Sequence, residues 1–281
     1  MFMIVIGVIG ISLSSILVRF SDAPSLVTAA YRLFWTVLLM TPPVFIRPAF
    51  RRELFSRDRA TAALCALSGV FLSVHFVLWF ESLRYTSVTS STVFVCTEAI
   101  WVALGYCLFM GGSVSRRETV CIAVSFLGSV LVAFSDLGSQ EGHLNGDLMA
   151  LAAAAAAAAY TLIGRTVRKT VSTTVYTYLV YVFCSLSLAA AALLTQTPLS
   201  GYGSRTVLCG LALSVCSTLL GHSMFSFCLK YMSPAFVSSA KLCEPAVASL
   251  FAAVLFGEIP APLQALGGLL ILAGILAFPH S

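Results

Sequence analysis

The chain has 281 residues, of which 59% are hydrophobic and only 10% are charged, and its mean hydropathy is +0.98. A soluble domain carries about 25% charged residues, so this composition excludes an ordinary soluble enzyme or binding module. The apolar stretches are continuous rather than alternating, which favours membrane helices over a β-barrel. The composition therefore predicts an all-α integral membrane protein.

Ten apolar segments follow one another, each close to the roughly 20 residues that a helix needs to cross about 30 Å of hydrocarbon. The predicted transmembrane helices cover residues 2–20, 24–46, 60–83, 87–110, 119–135, 147–164, 172–195, 205–229, 233–256 and 263–279. The first segment has no basic region and no cleavage site, so we expect a retained span rather than a signal peptide.

The charged residues are concentrated in alternate connections between these segments. RPAFRRELFSRDR carries five arginines, SVSRRE two and RTVRK three basic residues, whereas SDLGSQEGHLNGD has three acids and no lysine or arginine. Basic loops stay on the cytoplasmic side. We therefore expect a multi-pass protein of the cell membrane (inner or plasma) with both termini cytoplasmic, and we interpret the pI near 8.8 as topology rather than nucleic-acid binding.

An internal repeat relates the two halves of the chain. A shift of 146 residues aligns LRYTSVTSSTVFVCTEAIWVAL with LKYMSPAFVSSAKLCEPAVASL without a gap. The shift matches Glu98 with Glu244, and further along it matches Gly128 with Gly274. The similarity is weak at each position but continues over two predicted spans in each half.

Each half contains five predicted spans, so the second half enters the membrane from the opposite side. We predict two inverted five-helix repeats, residues 1–140 and 141–281. Inverted repeats with a site near the membrane midplane are typical of secondary transporters.

Several stretches carry a family resemblance: Arg32 in AAYRLFWTVLL, the LRYTS and LKYMSP entries to spans four and nine, and CEPAVASLFAAVLFGEIPAPLQALGGLLILAGILA with its Gly257 and Glu258. On these motifs the sequence resembles the drug/metabolite transporter superfamily, EamA type, over essentially its full length. The resemblance implies ten helices, a central cavity, alternating access, and export of amino acids or similar small metabolites.

Lys241, Glu244 and Pro245 lie together inside the ninth apolar segment. Pro245 predicts a helix kink and leaves the Lys241 carbonyl without its usual donor. Lys241 and Glu244 are three residues apart on one helical face and could pair with each other. Charges at this depth mark transport pathways, so the cluster predicts either a structural ion pair or a site for substrate or a proton.

Glu98 is the repeat mate of Glu244 and forms a stripe with Phe94 and Trp101 at helical spacing. An acid between aromatic rings could bind the ammonium of a zwitterion. The alternatives are that Glu98 extends towards the interface or bonds to serines of a neighbouring helix.

His75 and Trp79 are one turn apart in the third span, and His75 is a candidate cavity residue or a buried histidine bonded to another helix. His222 does not fall at the matching repeat position, where Gly221 stands, and is a weaker candidate.

Two further candidates lie on other spans. Arg32 could meet a substrate carboxylate or neutralise a glutamate. Tyr160 follows eight alanines as the first large polar group of the sixth span and is a candidate for the cavity wall.

The sequence gives little support to enzymatic chemistry. It contains no Walker motif, GxSxG or HExxH, and its nine cysteines are scattered singly without a C-x-x-C. We predict no catalytic residues, no metal and no cofactor. The alternatives to a transporter are an intramembrane enzyme and a structural or lipid-handling protein.

The predicted partners are the lipid bilayer and a small-molecule substrate, with a coupling proton as a further candidate. We predict no nucleic-acid partner, and a monomer or a homodimer.

Overall fold

A computed structural model describes residues 2–18, 20–86, 91, 94–135, 144–256 and 262–279, and these residues contain helices and no strands. The α-helices are α1 (Phe2–Ser12), α2 (Ser14–Val18), α3 (Ser25–Ile46), α4 (Pro48–Phe55), α5 (Arg59–Tyr85), α6 (Glu98–Met110), α7 (Arg116–Ser135), α8 (Leu144–Val167), α9 (Thr173–Leu194), α10 (Ser204–Ala212), α11 (Ser223–Cys228), α12 (Pro234–Ala240), α13 (Glu244–Phe256) and α14 (Pro262–Leu276). Most of the predicted acidic connection, and Gly257 and Glu258, lie outside the described residues.

Helices occupy every predicted span within this part of the chain. Five continuous helical stretches are long and apolar enough to cross a membrane: Ser25–Ile46, Arg59–Tyr85, Leu144–Val167, Thr173–Leu194 and Ser204–Cys228. The all-helical prediction is therefore confirmed for the described residues, while the crossing of all ten segments stays a prediction.

Two stretches of non-α helix in the described part of the chain lie where the sequence predicts regular α-helix. Between α10 and α11 the backbone forms a π-helix over Leu213–His222. Between α12 and α13 it forms a 3-10 turn over Lys241–Cys243. Single stretches of this kind are common at functional sites, and both contribute to the cavity described below.

The described residues form two hydrophobic core clusters, and neither belongs to one half of the chain alone. The first cluster joins α3 and α5 with α8 and α9. The second joins α1, α6 and α7 with α11, α12 and α14. The predicted repeats are therefore interleaved, because helices of one half pack against helices of the other.

Helices α7 and α14 approach each other through small residues. A side chain at Gly128 would place its Cβ 2.6 Å from the carbonyl oxygen of Gly267, and one at Gly274 would place its Cβ 2.8 Å from the carbonyl oxygen of Cys121. Only glycine permits this approach, which is how helices associate in lipid.

Candidate functional site

A central cavity of about 40 Å³ lies where the two core clusters meet. Its charged and histidine wall residues are Arg32, His75, Glu98, His222, Lys241 and Glu244. The rest of the wall comprises Ile11, Ser14, Trp79, Val95, Cys96, Ser238 and Leu242. Both halves of the chain thus contribute charged groups to one buried space.

Lys241 forms an ion pair with Glu98 of α6. Its Nζ atom donates to Glu98 Oε1 at 2.6 Å, and the two side chains are only 13% and 8% exposed. The hydroxyl of Thr161 in α8 donates to the same oxygen at 2.9 Å, and Nζ lies 5.5 Å from the centre of the Phe225 ring. The pair therefore ties three helices together.

The alternative pairing of Lys241 with Glu244 does not form. Helical spacing identifies neighbours along one helix, but tertiary packing brings Glu98 to Lys241 across 143 residues of sequence. Glu244 lines the same cavity, and no ion pair joins its carboxylate to a cation in the described part of the chain.

The predicted kink at Pro245 takes the form of an interrupted α-helix. The 3-10 turn over Lys241–Cys243 precedes Pro245, which is the second residue of α13. Proline is tolerated there because the first turn of a helix has no internal donors to lose. The Lys241 carbonyl, predicted to be free, instead accepts the N–H of Glu244.

The predicted stripe of Phe94, Glu98 and Trp101 is not one face of a helix. Thr97 interrupts the helix as a turn, with its N–H bonded to the Phe94 carbonyl at 3.1 Å. Of the three residues only Glu98 lines the cavity, and Trp101 is 41% exposed on the outer surface. Phe94 and Trp101 are therefore not part of the cavity wall in this conformation, and their role in substrate binding stays a prediction.

Arg32 is fully buried on α3, and its guanidinium faces the cavity with one nitrogen unused. Its Nε donates to Thr218 at 2.7 Å and its Nη1 to Ser14 at 3.3 Å. The guanidinium lies 4.2 Å from the centre of the Phe76 ring. The remaining Nη2 has no hydrogen-bond partner among the described residues.

His75 and Trp79 line the cavity together, as their spacing on α5 predicts. Their rings stack at a centroid distance of 6.0 Å, and His75 Nδ1 lies 3.0 Å from the carbonyl oxygen of Ala153. The buried hydroxyl of Tyr160 bonds to Ser226 at 2.8 Å, and Tyr160 is not among the residues of the cavity wall, so its contact with a substrate stays a prediction.

His222 is a cavity residue that the repeat alignment ranked too low. It lies at the end of the π-helix, 6.3 Å from the ring of His75 between centroids. A π-helix changes the angular position of every following side chain, so linear spacing misplaces it. The presence of a histidine inside an apolar span was the available signal.

The cavity wall carries buried nitrogen atoms that have no hydrogen-bond partner in the described part of the chain. Arg32 Nη2, Trp79 Nε1 and His222 Nδ1 are buried nitrogens that no described residue satisfies. No cluster of three or more histidine, cysteine, aspartate or glutamate side chains within the described ranges is placed to hold a metal ion. The wall is thus suited to an organic ligand with acceptor groups.

The sequence matches a known protein family over both of its halves. The model of the EamA-like transporter family matches residues 1–134 and again residues 144–278. The chain belongs to the EamA-like transporter family. EamA-like proteins are multi-pass membrane transporters of small molecules, and membership points to a transporter rather than an enzyme.

Curated relatives support the same assignment. This EamA-like chain is 24% identical over 285 residues to a probable amino-acid metabolite efflux pump of Salmonella typhimurium, covering 97% of this chain and 91% of the relative. It is 25% identical over 251 residues to an uncharacterized transporter of Archaeoglobus fulgidus, covering 86% and 84%. An uncharacterized transporter of Clostridium kluyveri is 24% identical over 212 residues, covering 73% and 67%.

A solved crystal structure shares the fold. It aligns with a TM-score of 0.81 at 14% sequence identity, covering 98% of this chain and 94% of the other. At this identity the likeness concerns the arrangement of helices.

Proposed function

We propose that this EamA-like protein is a secondary transporter that exports amino acids or similar small metabolites by alternating access through the central cavity. The observation that carries the proposal is the cavity itself, whose buried wall bears charges of both signs from both halves of the chain. Charged groups are costly inside a membrane and mark the paths of polar solutes. The name of the Salmonella typhimurium relative supports efflux of amino-acid metabolites.

Alternating access requires two halves that move relative to each other, and one contact supports a two-fold relation between them. The hydroxyl of Ser125 donates to the carbonyl oxygen of Ile271 at 3.3 Å, and these residues are 146 positions apart. That separation is the repeat shift, so Ser125 meets its own counterpart. In a two-fold arrangement this happens only near the axis, which supports an axis between α7 and α14.

The glycine contacts between these helices support the same axis. Gly128 approaches Gly267, and Gly274 approaches Cys121. The repeat shift exchanges Gly128 with Gly274 and Cys121 with Gly267, so each contact is the counterpart of the other. Reciprocal contacts are the signature of a two-fold interface and support the proposed inverted repeats of five spans each.

We place the protein in the cell membrane with ten spans and both termini in the cytoplasm. The arginines that lie between α3 and α5 support this orientation, because short basic connections stay cytoplasmic. α4 carries Arg51 and Arg52 on its exposed surface and buries none of its residues, as expected for a helix at the membrane interface.

Transport can be tested with the purified protein in liposomes. We expect counterflow: vesicles loaded with the twenty proteinogenic amino acids accumulate at least one labelled amino acid from outside, and protein-free vesicles do not. Chemical conversion of the amino acid without accumulation would instead indicate an enzyme. The absence of both, over this panel and a second panel of amines and organic acids, would contradict the proposed transport.

A further inference from the structure

The repeat makes Glu98 and Glu244 equivalent, but among the described residues an ion pair forms at only one of these acids. The cation of Glu98 is Lys241, at 2.6 Å. The residue 146 positions before Lys241, where the equivalent cation for Glu244 would stand, is Val95. Val95 lines the same cavity and carries no charge. The symmetry of the repeat is therefore broken at the pair itself, and Glu244 is the carboxylate left available.

Arg32 supplies the complementary unpaired charge. No ion pair joins Arg32 to an acid within the described ranges, and its Nη2 has no hydrogen-bond partner there. Burying a guanidinium without a counter-charge is expensive. The contacts with Ser14 and Thr218 are neutral and fix its direction without neutralising it.

Two further buried nitrogens lie with Arg32 in this cavity: the indole donor of Trp79, and a ring nitrogen of His222 that donates in one of its two tautomers. Trp79 Nε1 and His222 Nδ1 are buried and lack partners among the described residues. An arginine with further N–H donors suits a carboxylate, which accepts up to four hydrogen bonds. A carboxylate such as Glu244, in contrast, suits an ammonium group.

We propose that the cargo is a zwitterion of the α-amino-acid type, an inference that rests on the proposed function. The carboxylate of the cargo binds Arg32 and its ammonium group binds Glu244. Lys241 and Glu98 form an ion pair with a structural role, called the clasp below. Both charges of the clasp already have a partner, and Glu98 Oε1 accepts from Lys241 and also from Thr161. A cargo that engaged it would first have to break a buried ion pair. Engagement of Arg32 and Glu244 breaks no ion pair and gives each of these charges a partner.

The size of the cavity bears on the conformation that accepts this cargo. About 40 Å³ accommodates a few water molecules, since one needs about 10–15 Å³. Most amino acids are larger than this, since each water takes up about 30 Å³ in the liquid. Binding therefore requires the wall to move apart, as alternating access implies, and the charged groups then close around the two ends of the cargo.

The test compares competitors within each variant. The labelled substrate is the amino acid that gives the strongest counterflow. Three unlabelled competitors are compared: the same amino acid, the amine that lacks its carboxylate, and the carboxylic acid that lacks its ammonium group. In the wild type each single-charge analogue should compete about tenfold or more weakly than the amino acid, because it loses one charge-assisted contact.

The substitutions should remove these penalties selectively. In Glu244→Gln the carboxylic acid should compete as well as the amino acid, while the amine stays weak. In Arg32→Gln the amine should compete as well as the amino acid, while the carboxylic acid stays weak. Arg32→Lys should restore part of the advantage that the amino acid has over the amine. The matched control, Glu98→Gln with Lys241→Met, should keep both wild-type ratios. Ratios measured within one variant do not depend on how much protein is folded.

The outcomes separate this proposal from the proposed function. Transport by the wild type with unchanged ratios in Glu244→Gln would overturn the zwitterion assignment and leave the transporter intact. Collapse of both ratios in the Glu98 and Lys241 control would move the cargo site to the clasp. If Arg32→Gln fails to fold, the Glu244→Gln ratios alone decide. No transport by the wild type would refute the proposed function itself.

Discussion

Replacing Lys241 by methionine removes the cation from an ion pair that lies almost wholly inside the protein. The two side chains are 13% and 8% exposed, so water cannot readily replace the lost partner of Glu98. Breaking a buried pair in this way costs about 3–5 kcal/mol, because one charge stays buried without compensation. The hydrogen bond from Thr161 remains, which places the expected loss near the lower end, about 3 kcal/mol.

This loss can be measured as a thermal shift in detergent. One kcal/mol corresponds to roughly 2–4 °C for a chain of 150–250 residues, so Lys241→Met should lower the unfolding temperature by about 6–12 °C. Adding Glu98→Gln removes the unpaired charge and should recover most of the loss, because neutral replacement of both partners is often harmless. A Lys241→Met protein within about 1 °C of the wild type, or a double variant no better than the single one, would refute the clasp.

Three further predictions concern packing, the connections and topology. Gly128→Ala forces a Cβ against the Gly267 carbonyl oxygen and should destabilise the protein by about 1–3 kcal/mol. Gly268→Ala on α14, whose Cβ would lie in ordinary contact 3.7 Å from that of Ala246, should not destabilise it, because alanine favours a helix more than glycine does. Equal melting temperatures of the two variants would contradict the packing of α7 on α14. Arg168, in the connection between α8 and α9, donates hydrogen bonds to the carbonyl oxygens of Ser226 and Val171. Arg168→Gln removes these buried bonds and should lower the melting temperature, while the exposed Lys169→Gln should not. The opposite order would contradict the anchoring of this connection by Arg168. A green fluorescent protein fused to the C-terminus should fluoresce and a fused alkaline phosphatase should be inactive, and the reverse pattern would place that terminus outside the cytoplasm.

The helical character of the fold could be predicted because hydrocarbon demands long apolar helices with their backbone bonds satisfied internally. The helix over Ser25–Ile46, for example, lies within one residue of the predicted span at its start. The irregular backbone at Leu213–His222 and at Lys241–Cys243 could not be predicted from hydrophobicity. Such local geometry depends on tertiary contacts, including the position of Thr218 beside Arg32.

Charged candidates reached the cavity more reliably than aromatic ones, and the cost of burial explains the difference. Arg32 and Glu98 cannot face hydrocarbon, so their presence inside apolar segments already places them in the protein interior. Trp101 and Tyr160 carry no such constraint: the first faces outwards and the second bonds to a neighbouring helix. The sequence left open which acid pairs with Lys241, and only the fold shows that it is Glu98.

The packing of helices from one half of the chain against helices from the other half could not be predicted from the sequence either. The repeat shift identified equivalent positions such as Glu98 and Glu244, but it gave no information about which helices pack together. The core clusters show that α5 packs with α8 and α9, and that α7 packs with α14. The contact between Ser125 and Ile271 follows from that packing.

The central claim is that the cavity opens to each side of the membrane in turn, and its accessibility tests this most directly. Ser238 lines the cavity and is buried, so Ser238→Cys in a chain with its nine native cysteines replaced provides one reporter there. A membrane-impermeant thiol reagent should label it in both right-side-out and inside-out vesicles, and the transported amino acid should slow the reaction from both sides. Labelling from one side only, or from neither, would contradict alternating access through this cavity.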